Sequence, residues 1–287
     1  MDSVFLDGQG HLRNGWKVLG YFVLTIAFGI LVGLTTHFLP ATRRVLNTPW
    51  TEFLVFLAAA WVCLRIERGS LASLGFRLDG RWARELALGT LGGFGLMAVT
   101  AAVVFLLGGF HWTRTPGVGA AALLKGAWFY LAVAFAEETG FRGYPFQRAL
   151  RGLGVSGAQI LFALCFSLAH WHNPGMSGAT RIWATVNIGL AAILLGLCYL
   201  RTGSLALAIG VHLGWNWTQG TLFGFGVSGL AEAGWWTPIF HGRPTWLTGG
   251  AFGLEASLPC VLVCGTAVLL LARWKGTVPR DPGALAA

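Results

Sequence analysis

Eight stretches of this chain are apolar for long enough to cross a bilayer core, which takes roughly 20 helical residues each. They lie near residues 17–39, 50–66, 85–108, 124–149, 155–172, 182–200, 204–225 and 256–274. Hydrocarbon offers no water to an N–H or a C=O, so a spanning segment must satisfy its own backbone as a helix or in a closed barrel. Stretches of this length select the helix. Charged residues make up 11% of the chain and mean hydropathy is +0.65, whereas soluble domains carry about 25% charge. The expectation is an all-α polytopic bundle of about eight transmembrane helices, a single integral membrane domain over 1–287. Arg13 and Lys17 precede the first stretch and THFLPATRR follows it, with no small-residue cleavage site, so it reads as a retained helix and not a cleaved signal.

The formal charge of +9 follows topology and not nucleic-acid binding. With eight spans both termini share a side. About 14 Lys and Arg fall on that side against about six on the other, which places both termini in the cytoplasm and the chain in the cell membrane as a multi-pass protein. Five positives lie in RIERGSLASLGFRLDGRWAR, where contact with anionic lipid is a by-product. Cys63, Cys165, Cys198, Cys260 and Cys264 fall inside expected spans without a CxxC pair, which argues for buried, inert thiols and against disulfides or a zinc–thiolate site. The 42 glycines read as close helix contacts. In the longest piece between spans, 226–255, Trp235, Trp236 and Trp246 suit an interfacial belt.

Three polar groupings stand out against this background. Of the 11 Asp and Glu, nine read as loop or span-edge residues, and Glu137 and Glu138 alone read as buried. Glu138 and Arg142 are one turn apart and can pair, while Glu137 lies about 100° round the helix and can face elsewhere. An ionised carboxylate near the membrane centre costs roughly 2.5–3.5 kcal/mol on insertion scales. Two neighbours cannot cheaply both stay charged unless a cation or metal compensates. A functional site and a structural ion pair that orients helices would both account for them.

In FSLAHWHN, His170 and His172 are two apart and point to different sides of a helix, so only one can face Glu137. A histidine hydrogen-bonded at a span end is the plain alternative, more so for His172. In VHLGWNW, His212 and Asn216 share one helical face, either as helix–helix glue or as two donors presented to one substrate. A hairpin closing at Arg151–Gly154 would put Glu137 and His170 each about 16 residues from the turn, roughly 24 Å along the helices. His212 reaches that level if the hairpin projects into the cytosol by about two turns.

The three groupings stand as EETGFR (137–142), FSLAH (166–170) and HLGWN (212–216). In that order, on successive hydrophobic helices, they resemble the CPBP family of intramembrane proteases, named for CAAX proteases and bacteriocin processing and also called the Abi family. Its eukaryotic relative is the Ras-converting CAAX endoprotease. The resemblance covers roughly 120–225, the protease core, and GRPTWLTGGAFGLEASL looks more loosely like the tail of bacterial members. It implies Glu137 as the catalytic base, His170 as its partner on the water, and His212 and Asn216 as the groups that hold the oxyanion. Glu138 and Arg142 look like a support pair. Glu137, His170 and His212 could also ligate zinc, although the HExxH signature is absent. Water activation without metal is the preferred expectation.

The expected function is an intramembrane endopeptidase acting on a membrane-associated or lipid-anchored protein or peptide, with the bilayer as its other partner and no nucleic acid. The rival is a non-proteolytic membrane scaffold on the same fold. A proton-relaying transporter, which should show paired half-symmetry and broken helices, ranks last because the sequence shows no such symmetry. Trp171 and Trp215 are expected to pack or to wall the cavity, and His172 to be dispensable, since neighbours of a helical site residue point away from its face.

Overall fold

The computed structural model describes residues 4–278; the extreme termini, expected in the cytoplasm, lie outside the described residues. The chain runs through α1 (Asn14–Phe38), a one-turn α2 (Arg43–Leu46), α3 (Pro49–Ile66) and α4 (Gly80–Leu106), then α5 (Ala120–Arg142) and α6 (Tyr144–Ala169). It continues with α7 (Gly178–Thr202), α8 (Ala206–Asn216), a one-turn α9 (Thr245–Thr248) and α10 (Leu258–Arg273). A short antiparallel ribbon pairs β1 (Phe110–Arg114) with β2 (Trp236–Phe240), Phe110 opposite Phe240. The protein is an all-α polytopic membrane bundle. Asn14–Phe38, Pro49–Ile66, Gly80–Leu106, Ala120–Ala169 and Gly178–Thr202 are each long and apolar enough to cross a membrane, and Leu258–Arg273 is a shorter apolar helix.

Two features of the backbone place the site. The first is the hairpin within Ala120–Ala169. At Gly154 the backbone leaves helical geometry with φ 69° and ψ 179°, a left-handed φ that glycine adopts without the Cβ penalty. The rings on either side match across that turn: Phe146 stacks edge-on to Phe162 at 5.5 Å, and Phe141 to Phe166 at 5.0 Å. The two limbs therefore run antiparallel. Glu137 and His170 each lie four residues beyond the Phe141–Phe166 pair. A second break, at Gly143, separates α5 from α6, so the descending limb is kinked, not one straight span over 124–149.

The second feature is the α4–α8 crossing. Gly89 and Gly93 on α4 meet Gly210 and Gly214 on α8. A Cβ at Gly93 would lie 2.1 Å from the Val211 carbonyl oxygen, and one at Gly214 would lie 2.0 Å from that of Thr90. Two facing Gly-xxx-Gly pairs bring the backbones together as small-residue interfaces do in lipid. With 3.6 residues per turn, a face of α8 committed to α4 through 210 and 214 turns His212 the other way, towards α5. The expected seventh span, 204–225, differs from a simple helix. It is α-helical to Asn216 and continues as a π-type turn over Trp217–Leu222, where Gly220 admits the Tyr130 hydroxyl and the Glu232 side chain against the widened backbone.

Candidate active site

One oxygen organises the wall between α5 and α8. Glu138 is fully buried and Arg142 is 1% exposed, and Arg142 Nη1 donates to Glu138 Oε1 at 3.2 Å. His212 Nδ1 donates to the same oxygen at 2.8 Å. Arg142 is held further by the Ala192 carbonyl at 3.3 Å and by the Phe166 ring, 4.5 Å from its guanidinium carbon. A carboxylate oxygen facing two donors accepts from both, so the proton on Nδ1 of His212 is fixed and Nε2 is the nitrogen left for Glu137. Nε2 lies 3.8 Å from Glu137 Oε2, too far for a direct hydrogen bond and suited to a bridging water.

Glu137, His170, His212 and Asn216 line one cavity of about 60 Å³ together with Asn187, Ser228 and Glu255. At about 10–15 Å³ per water, it has room for roughly four to six. Glu137 Oε2 and Asn187 Oδ1 are buried polar atoms with no hydrogen-bond partner among the described residues. His170 caps α6, its Nδ1 bonded to the Phe166 carbonyl at 2.8 Å. That contact makes Nδ1 the donor and leaves Nε2 as the available nitrogen. Trp215 is buried and lines the same cavity. Trp171 instead bonds Thr185 Oγ1 at 3.0 Å and is exposed, and His172 is exposed and absent from the lining.

The reading that Glu137 and Glu138 alone are buried acids is corrected in both directions. Glu137 keeps 26% of its side-chain surface open. Glu255 is 5% and Glu85 8% exposed. Glu85 Oε1 accepts a hydrogen bond from Arg81 Nε at 2.9 Å. Glu255 precedes the last span in sequence, so it reads as a loop acid, but a 3-10 turn over Leu254–Ala256 folds it inward. There its Oε1 accepts the Ser228 backbone N–H, and the Ser228 carbonyl accepts from Asn173 Nδ2 at 2.9 Å. No short motif marks such a loop closure. Its one signal is an acid within an unusually glycine-rich segment.

Zinc was the candidate cofactor. Among the described residues no three His, Cys, Asp or Glu side chains gather closely enough to hold a metal ion. Glu137, His170 and His212 do not form a ready zinc site. The cysteines are free, four of the five buried.

Fold and cavity together define the class: a polytopic helical membrane protein that encloses carboxylate, imidazole and amide groups between its helices. Within that class the match is particular. Residues 119–218 match the family described as type II CAAX prenyl endopeptidase Rce1-like. The resemblance to the CPBP/CAAX protease family holds over this segment, which contains Glu137, Glu138, Arg142, His170, His212 and Asn216. No curated protein and no solved structure gives a significant match.

Proposed function

We propose that the chain is a glutamate-dependent intramembrane endopeptidase that hydrolyses a peptide bond in a membrane-associated protein or peptide, in the cell membrane with both termini cytoplasmic. Residues 120–225 form the protease core of a single membrane domain. The observation that carries the reading is the convergence of Glu137, His170, His212 and Asn216 on one cavity, with Glu138 buttressing His212 from behind.

In this mechanism a water between Glu137 and His170 gives a proton to the Glu137 carboxylate while its oxygen attacks the scissile carbonyl carbon. The carbonyl electrons move onto oxygen, and His212 Nε2–H and the Asn216 amide hold the resulting oxyanion. Donors fixed in advance in a dry site are worth several kcal/mol to such an intermediate. Collapse breaks the C–N bond, and Glu137 returns its proton to the leaving amine. For His212 to donate through Nε2 while Nδ1 serves Glu138, the ring is protonated on both nitrogens. Arg142, Glu138, His212 and Glu137 then alternate in sign and sum to zero, which limits the cost of burying them. Cleavage of a membrane-tethered reporter peptide by purified protein tests the reading. Glu137→Gln should lower the rate by about 10²–10⁴-fold. Undiminished cleavage by that variant would return the cluster to a scaffold role.

A further inference from the structure

A second concentration of charge lies where α1 begins and the α6 hairpin turns. Arg13, Lys17, Arg148 and Arg151 line a cup of about 610 Å³ there, against the apolar side chains of Leu153 and Leu161. Two of these cations are fixed: Glu67 takes Lys17 Nζ at 3.2 Å and Arg148 Nε at 2.9 Å. One carboxylate offsets one of the pair and leaves the other. Asp7, the acid in the lining, is occupied by the backbone N–H groups of Gln9 and His11. Arg151 is exposed and makes no ion pair among the described residues. The cup is thus net positive, with a guanidinium to spare.

The surroundings of the cup are apolar and unburied. The Phe5 and Trp16 rings lie 5.0 Å apart, and Val4, Phe5 and Leu12 are 72%, 56% and 43% exposed. A spare guanidinium in a net-positive cup, beside exposed aromatic and aliphatic side chains, matches an amphiphile with an anionic head. We propose that this cup binds the phosphate of an anionic phospholipid headgroup, with Arg151 as its principal free ligand and Lys17 and Arg148 as its fixed walls. A guanidinium suits phosphate because its planar fork offers paired donors. The bound lipid would tie the start of α1 to the tip of the hairpin, where Gly152 already lies against Asn14. It would thereby steady the two limbs that carry Glu137 and His170. The site stands independently of the protease reading.

The test uses full-length protein in neutral detergent, with lipid retention read by native mass spectrometry and stability by thermal melting. The probes are phosphatidylglycerol, phosphatidylcholine and inorganic phosphate. Phosphatidylglycerol should be retained and should raise the melting temperature, whereas phosphatidylcholine, whose choline offsets its phosphate, should do neither. Arg151→Gln should cut phosphatidylglycerol retention about tenfold, the loss of one charged hydrogen bond. Arg84→Gln, which removes an exposed arginine outside the cup, should leave retention unchanged. No preference for phosphatidylglycerol, wild-type retention in Arg151→Gln, or an equal fall in Arg84→Gln would each overturn the site. A melting shift fully reproduced by inorganic phosphate would overturn the lipid as occupant and leave a free-phosphate site.

Discussion

Glu137 and Glu138 are adjacent in sequence but meet different surroundings. Glu138 Oε1 answers Arg142 and His212 together, while Glu137 Oε2 has no hydrogen-bond partner among the described residues. Glu137→Gln keeps the shape, and His212 can shed the Nε2 proton whose charge Glu137 balanced, so its melting temperature in detergent should hold while cleavage is lost. Glu138→Gln strands a fully buried guanidinium, and breaking such a pair costs roughly 3–5 kcal/mol. Its melting temperature should fall along with activity. A stable but inactive Glu138→Gln beside an active Glu137→Gln would exchange their roles. Glu255 separates charge from shape in another way. Glu255→Gln retains an oxygen for the Ser228 N–H and should melt as wild type does. Glu255→Ala leaves that part-buried donor without its carboxylate, at up to about 1–3 kcal/mol. Equal melting of the two variants would mean that this hydrogen bond does not hold the loop.

Helix α8 carries His212 to Glu138 because its opposite face closes on α4 without side chains between the backbones. A Cβ at Gly93 would stand 2.1 Å from the Val211 carbonyl oxygen, whereas one at Gly95 would meet nothing within 4 Å. Gly93→Val should therefore push α8 away, lower the melting temperature and abolish cleavage. Gly95→Ala should be neutral or slightly stabilising, since alanine favours a helix interior by up to about 1 kcal/mol. Normal melting and cleavage in Gly93→Val would show that the crossing does not position His212. These elements explain what could be read in advance. The hairpin and the Glu138–Arg142 pair depend on local spacing, and Gly-xxx-Gly is itself a local signal. The π-type turn after Asn216 and the inward fold of Glu255 depend on what packs against them from distant segments. The bond from His212 to Glu138 likewise joins residues 74 positions apart, which no local period encodes.

Charged side chains at the helix ends tie distant segments of the molecule together. Arg81 reaches the Thr202 carbonyl at 3.4 Å and Thr277 Oγ1 at 2.6 Å, and Arg201 takes part in the same junction through the Thr277 N–H. Glu67, just past the end of α3, joins three elements by binding Lys17 on α1 and both Tyr144 and Arg148 on α6. Burial pushes the Glu67 carboxyl up, but the Arg148 and Tyr144 hydrogen bonds and the nearby charges of Arg148 and Lys17 outweigh it and hold the group below the usual carboxylate range. A carboxyl whose folded pKa is depressed contributes stability above its unfolded value, about 4.3 for Glu, and loses it as pH falls through the folded value. Wild type should therefore melt a few degrees above Glu67→Gln at pH 7, at roughly 2–4 °C per kcal/mol. The gap should persist down to about pH 5, narrow once the pH falls below the unfolded value of about 4.3, and close as Glu67 itself takes a proton in the folded protein, where protonated Glu67 and Gln are equivalent in charge. Melting curves of both proteins across pH 3.5–7.5 decide it. A gap that does not narrow as the pH falls from 5 to 3.5 would assign the junction to shape, and one absent at pH 7 would remove Glu67 as the tie between α1, α3 and the hairpin.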